Sequence, residues 1–299
     1  MEIISYIPEM SPELTASYNK LIHGLPHCYP ISVDDFATVA SAIEEGKSHK
    51  LLTQEAAFVV REGKSITGFI HVAVESPKKE GETSQGIIPF LWYDKGHRPA
   101  GQALLNSAEE YFRQRNLSQV TAFHQEYRYD FYHIAHAYMS DRLAHIYGLM
   151  GINGYSRVNG EVYLDWPEYE PIEPAPLDVP LKISAEWRHK DSKHPDLLVR
   201  AYQDGKEVGV CESISCGEFT DADDAQDWMF TVWLWVSEEI QGRGIGRHLL
   251  RRALQEAREG GYRNAAISTN WRNFRALLFY SNFGYHVADW TYAVQRNLE

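Results

Sequence analysis

The feature that most constrains this chain is an order of elements that occurs twice. In each half a strand-like run passes through a loop into an amphipathic helix. A short strand, a second helix and a Gly-aromatic pair follow. In the second half the run is Met229–Val236, MFTVWLWV, which predicts a strand buried on both faces. A glycine-rich loop comes next. The stripe Leu249, Leu250, Ala253, Leu254 and Ala257 then marks a helix over Arg247–Glu259, which Gly260 and Gly261 end. Asn264–Ser268 reads as a strand, Asn273–Tyr280 as a helix, and Gly284-Tyr285-His286-Val287 as the turn into a final strand pair. In the first half the matching pieces are Ile87–Trp92, a helix over Gln102–Arg115, a strand over Val120–His124, a long helix over Tyr132–Leu149, and Gly154-Tyr155 leading into Gly160–Leu164. Hairpins precede both series: Ala56–Val60 with Ile66–Val74 around Glu62-Gly63, and Leu197–Tyr202 with Val208–Ser215 around Asp204-Gly205. Helical patterns over Glu13–Ile22 and Val33–Glu45 open the chain.

The halves meet at Trp166–Pro180, where five prolines alternate with acids. Proline lacks a backbone donor and fixes φ, so this stretch is neither helix interior nor central strand. It reads as a semi-rigid connector or as a long surface loop within one domain. The expected division is 1–166, a linker at 167–180, and 181–299.

Composition narrows the chemistry. A formal charge of −12 argues against nucleic acid, whose phosphates it would repel. The start MEIISYIPEM has no basic region of a signal peptide, and no apolar run nears the ~18 residues of a membrane span. Cys28, Cys211 and Cys216 lack CxxC spacing and suggest a reduced compartment. A cytoplasmic protein, monomeric or homodimeric, is expected.

The sharpest motif is Gln241-Gly242-Arg243-Gly244-Ile245-Gly246-Arg247. Helix N-termini carry unpaired N–H groups and the positive end of the dipole. Glycines let backbone approach a phosphate, so the loop reads as a pyrophosphate cradle; the alternative is a tight turn with no ligand. The spacing is not that of a dinucleotide fingerprint, and the Gly-Lys-Ser/Thr of a nucleotide-triphosphate loop is missing.

The loop resembles the Gln/Arg-x-x-Gly-x-Gly/Ala motif of the GNAT acyltransferase superfamily, with Gln241, Gly244 and Gly246 in the matching places. Leu234-Trp235-Val236 is similar to the end of that family's pantetheine strand. Asn273-Phe274-Arg275-Ala276-Leu277-Leu278-Phe279-Tyr280 is similar to its Asn-x-x-Ala-x-x-x-Tyr helix. The resemblance is strong over Met229–Tyr285. It implies an α/β (α+β) fold of two tandem GNAT-like domains, each a mixed central sheet flanked by helices with splayed parallel strands. It also implies acetyl-CoA as cosubstrate, with the backbone of Leu234, Trp235 and Val236 along pantetheine and the N–H groups of Gly242, Arg243, Gly244, Ile245, Gly246 and Arg247 on the pyrophosphate. Asn273 would order the site, and Tyr280 would lie near the thiolate.

The implied activity is N-acetylation of a small-molecule amine by direct attack. A peptide or protein acceptor, or an acyl-CoA sensor without catalysis, are the competing readings. Tyr280 suits the acid that protonates the leaving thiolate, although its periodicity alone fits a packed helix aromatic. The Val236 N–H suits an oxyanion donor. The base is open among Glu212, Glu218, Asp227 and a water chain, since Ser268 stands where some relatives of the family carry glutamate.

In the first half Pro99 stands opposite Gly244, Met150 opposite Tyr280 and Leu143 opposite Asn273, so that domain is expected to have lost strong cofactor binding. The rings His124, Tyr127, Tyr129, Tyr132, His133, His136, Tyr138 and His145 crowd the same region. His133 and His136 could share a helix face as metal ligands, but nothing completes a ligand set, and no metal is expected.

Overall fold

The computed structural model describes residues 1–77, 81, 83–189 and 192–298. It divides into two compact units, Met1–Glu161 with Asp289–Glu299, and Val162–Ala288. Both are mixed sheets flanked by helices.

The first unit runs β1 (Glu2–Ser5), α1 (Ser11–Ile22), α2 (Val33–Glu44), β2 (Leu52–Glu62), β3 (Ser65–Glu75), β4 (Gln85–Tyr93), α3 (Arg98–Arg113), β5 (Gln119–Ala122), β6 (Met139–Ser140), α4 (Ala144–Ile152) and the start of β7 (Ser156–Trp166). β1 to β4 pair antiparallel in order, and β4 pairs parallel with β5 over Gly86↔Val120 to Ile88↔Ala122. The second unit runs from the end of β7 through β8 (Lys182–Arg188), β9 (Asp196–Gln203), β10 (Lys206–Ser215), β11 (Trp228–Val236), α5 (Ile245–Glu259), β12 (Asn264–Asn270) and α6 (Phe274–Ser281) to the first residues of β13 (His286–Asn297). β8 to β11 pair antiparallel in order, and β11 pairs parallel with β12 over Trp228↔Asn264 to Thr231↔Ile267.

The repeat holds to the level of single contacts. Gly68 admits Leu104: a Cβ there would stand 2.8 Å from Leu104 Cδ1 and 3.1 Å from Trp92 O. At Gly209 the same atoms are Leu249 Cδ1 at 3.0 Å and Trp235 O at 3.3 Å. Both glycines let the long helix press onto the sheet. Leu143 caps α4 where Asn273 caps α6. The N–H of Tyr155 donates to Met150 O, as that of Tyr285 does to Tyr280 O.

Several expectations differ from what is found. Tyr132–Leu149 is not one helix. Only Ala144–Ile152 is helical, and His133 and His136 take left-handed φ values of 63° and 65°, so they share no helix face. The final strand pair is one long strand, β13, and Asp289–Glu299 groups with the first unit rather than with the second. Its pairing to β5 (Val294↔Ala122 to Asn297↔Gln119) gives that sheet its antiparallel neighbour. The proline-rich stretch is irregular, as expected, yet it is held against the second unit. Tyr169 is fully buried, its hydroxyl donates to Leu254 O at 3.0 Å, and Ala175 O accepts from His248 Nδ1 at 3.0 Å. β11 is buried on both faces only as far as Thr231. Trp233 and Trp235 are 57% and 39% exposed.

Candidate functional site

The candidate site lies in the second unit, where β11 and β12 part. Their pairing ends at Thr231↔Ile267, so Val232–Val236 runs on without a β12 partner among the described residues. Ser237 N–H donates to Val208 O at 2.9 Å. Antiparallel bonds alternate along a strand, so the amides and carbonyls of Leu234 and Val236 point away from β10, into the gap. Val236 O accepts from Gln241 Nε2 at 2.9 Å, which fits that direction. Trp235 turns its own backbone groups toward β10 and offers the open side only its indole.

The glycine loop closes one end of the gap. Gly242 and Gly244 have φ values of 79° and 81°, and Gly244 is the left-handed N-cap of α5. A side chain at Gly244 would meet nothing within 4 Å, so its glycine serves conformation, not clearance. At Gly246 a Cβ would stand 3.6 Å from Val236 Cγ2, which ties the loop to the strand end. The N–H groups of Gly242 to Arg247 donate to no backbone carbonyl among the described residues. They open the first turn of a fifteen-residue helix, where N–H groups have no partner within the helix. Arg243 and Arg247 are exposed beside them. Ile245 is instead buried and anchors the turn.

The other anticipated residues divide between the site's two sides. Asn273 is the N-cap of α6, its Oδ1 accepting from Ala276 N–H at 3.1 Å, so half of its amide is committed to holding the helix start. Tyr280 is the one buried residue of α6 among those described. Its ring meets Tyr285 at 6.2 Å, edge to face. The Tyr285 hydroxyl is driven well above the usual phenol range by burial, with Cys211 and Tyr280 among its electrostatic neighbours. Cys211, whose thiol burial pushes up to about 12, stands opposite Leu234, so this tyrosine cluster adjoins the gap strand. Glu212 stands opposite Trp233, with its carboxylate 3.7 Å from Arg188 Nη1. Asp227 is tied to Lys193 Nζ at 2.9 Å, which holds its carboxyl below the usual range and removes it from the site. Ser268 lies on the stretch of β12 past the last pair with β11.

The first unit has the same parting of strands, and there the gap-facing carbonyl of Tyr93 accepts from His145 Nε2 at 3.2 Å. β4 and β5 cease pairing after Ile88↔Ala122. The rings of Tyr129 and Tyr132 pack on Phe90 at 5.3 and 5.6 Å, and the Tyr132 hydroxyl accepts from Ser140 N–H at 2.9 Å. Tyr93, which corresponds to Val236, donates to His145 O at 2.7 Å. The loop differs as well: α3 begins at Arg98, with His97 as N-cap at φ −97° and Pro99 in its first turn. Proline cannot adopt the left-handed φ of Gly244 and removes one amide. Of the polar rings, His124 and Tyr127 line a separate polar cleft of about 680 Å³ with Glu75, Gln85, Thr121 and Gln295, while Tyr129, Tyr132 and His133 are core. Among the described residues no group of three or more His, Cys, Asp or Glu side chains could hold a metal ion. No described helix is long and apolar enough to cross a membrane.

Comparison with known proteins agrees with this geometry. Residues 161–285 match the family model described as the acetyltransferase (GNAT) family. Among solved structures, a tandem GNAT protein from the clavulanic acid biosynthesis pathway, solved without AcCoA, is similar at a TM-score of 0.66 and 13% identity, covering 99% of this chain and 98% of its own. The glucosamine N-acetyltransferase region of a fungal multi-domain GH3 β-N-acetylglucosaminidase is similar at 0.63 and 14%, covering 99% of this chain and 38% of that one. A GNAT protein from Sphaerobacter thermophilus is similar at 0.60 and 14%, covering 99% and 95%. At such identities the likeness is one of fold. Among curated proteins no sequence match is found.

Proposed function

Residues 161–285 match the GNAT acetyltransferase family and the whole chain shares the fold of a tandem GNAT protein, and from that premise we propose that the second unit moves an acetyl group from acetyl-CoA to the amine of a small molecule. The observation that carries the proposal is the parting of β11 and β12 beside a loop of outward-facing amides. A strand edge that offers the N–H and carbonyl of Leu234 and the N–H of Val236 fits the amides and thioester end of pantetheine, and a left-handed glycine loop at a helix N-terminus fits a diphosphate.

The cosubstrate supplies a thioester carbonyl for the amine to attack. The chain's residues do the rest. Leu234 holds the pantetheine arm by its gap-facing N–H and carbonyl. Gly242 to Arg247 hold the diphosphate, and Gln241 fixes the end of the strand through Val236 O. The Val236 N–H donates to the oxygen on which negative charge develops. The buried Tyr280 hydroxyl gives a proton to the departing thiolate. Glu212 accepts the ammonium proton, directly or through water. Asn273 holds the start of α6 and so the position of Tyr280. The first unit, whose loop carries Pro99 and whose Tyr93 carbonyl is taken by His145, takes no acyl-CoA.

The test is calorimetric titration with acetyl-CoA, followed by thiol release with an amine panel. Tyr280→Phe should keep cosubstrate affinity and lower kcat about 100-fold, the scale of losing a general acid. Normal turnover by that variant would remove the acid assignment. Binding of CoA with no transfer to any amine would favour the sensor reading.

A further inference from the structure

Among the described residues, the one α-helix set against β9, β10 and β11 lies on a single face of the second unit's sheet. α5 packs against β9, β10 and β11, seated on Gly209 and near Val236. The opposite face carries two cross-strand rows, Glu186–Leu198–Glu212–Trp233 and Ser184–Arg200–Val210–Trp235. Directly opposed residues in antiparallel pairs share a face, so both tryptophans stand on the side away from α5. The first unit is an internal control. Phe90 and Trp92 occupy the positions of Trp233 and Trp235, as the Gly68 and Gly209 contacts fix. There the face is sealed: Tyr18 of α1 and Tyr129 meet Phe90, Phe36 of α2 meets Phe69, and Phe90 and Trp92 are 3% and 1% exposed. The second unit has no α-helix before α5 among the described residues, only three short 3-10 turns, and its two indoles are 57% and 39% exposed.

Direction of attack follows from this asymmetry. A thioester lying along Val232–Val236 is screened by α5 on one side, so an amine reaches it only across the Trp233–Trp235 face. We propose that Trp233 and Trp235 form the acceptor platform, and that the acceptor is a cationic amine with a flat apolar body, which stacks on the indoles while its ammonium end meets Glu212. Indole faces attract cations and stack with rings, and a carboxylate in the same row as Trp233 complements an ammonium. Of the nearby arginines, Arg188 is held by Glu186 and Glu212, and Arg200 by Glu186 and Glu207, so neither stands as a bare cation beside the indoles.

This inference rests on the proposed acetyl transfer, and the experiment separates the two. The full chain is loaded with CoA, and binding of 2-phenylethylamine and of ethylamine is measured by calorimetry, alongside kcat/KM for both with acetyl-CoA. Wild type should favour 2-phenylethylamine by roughly tenfold. Trp233→Ala should bring that preference close to one, and Trp233→Phe should restore part of it, with CoA affinity and melting temperature unchanged in both. A preference that survives Trp233→Ala in a CoA-binding protein overturns the platform alone. Failure of wild type to bind CoA overturns the proposed function. A dimer that falls apart on Trp233→Ala, seen by light scattering, assigns the face to a second copy instead and also refutes the platform.

Discussion

Replacing Asp289 by asparagine should stabilise the first unit at neutral pH and leave it unchanged in acid. Asp289 is 2% exposed on β13, and burial raises its carboxyl from 3.8 to about 6. The Ser140 hydroxyl, the Trp290 N–H at 2.8 Å and the Arg142 guanidinium at 3.9 Å pull it back down, while Asp141 pushes it further up. The other titratable groups that sense this carboxyl are Cys28, Tyr132, Tyr147 and Tyr292, all neutral near pH 7 and all raised by burial. A folded pKa above the unfolded one means that the native state is favoured below pH 3.8 and loses that advantage as pH rises toward 6. The shift corresponds to about 3 kcal/mol at most, at ~1.4 kcal/mol per unit, and is complete above pH 6. Loss of the Arg142 contact and solvent relaxation bring the expected gain for Asp289→Asn to about 1–3 kcal/mol at pH 7.5, falling to nearly none at about pH 3. Urea unfolding at the two pH values reads the total, and amide exchange of β13 reads the local part, since two units need not unfold together. Equal effects at both pH values, or a variant less stable at pH 7.5, would refute the reasoning.

Gly244→Ala should weaken CoA binding roughly tenfold in calorimetry, because a Cβ at φ 81° costs about 1–2 kcal/mol and turns the loop amides; unchanged affinity would mean that the loop does not hold the diphosphate. Gly68→Ala should cost about 1–3 kcal/mol in urea unfolding, since its Cβ would lie 2.8 Å from Leu104. Gly209→Ala, with 3.0 Å to Leu249, should cost less; the reverse order would contradict the packing account.

The glycine loop and α5 were legible because their signal is local: three alternating glycines, then an apolar stripe of helical period. The hairpins were legible for the same reason, with Asp204 and Gly205 both taking positive φ at the turn. The segment from His124 to Tyr138 was not. Its alanines and aromatics suit a helix, but Tyr129 and Tyr132 pack onto Phe90 of β4, and His133 and His136 take left-handed backbone. Tertiary packing overrides propensity there. The short edge strand β1 and the charged edge strand β8 carry too little alternation to announce themselves. The exposure of Trp233 and Trp235 was hidden for a different reason. An apolar strand shows that its faces suit burial, while the bare face comes from helices that the second unit lacks. Of the site residues, Gln241, Gly244 and Gly246 are found in one loop beside Leu234 and Val236, whereas Trp235, read from sequence as core packing and part of an acceptor pocket besides its backbone role, is 39% exposed.

The placement of β13 has a consequence for biosynthesis. Asp289–Glu299 leaves the ribosome well after the rest of the first unit, yet it is the neighbour of β5 in the first sheet. At about 5–20 residues per second, the N-terminal half waits on the order of ten seconds with that β-edge uncovered. Such an edge invites pairing with other nascent chains. A stalled or prematurely terminated message would therefore damage the oldest part of the polypeptide rather than the newest.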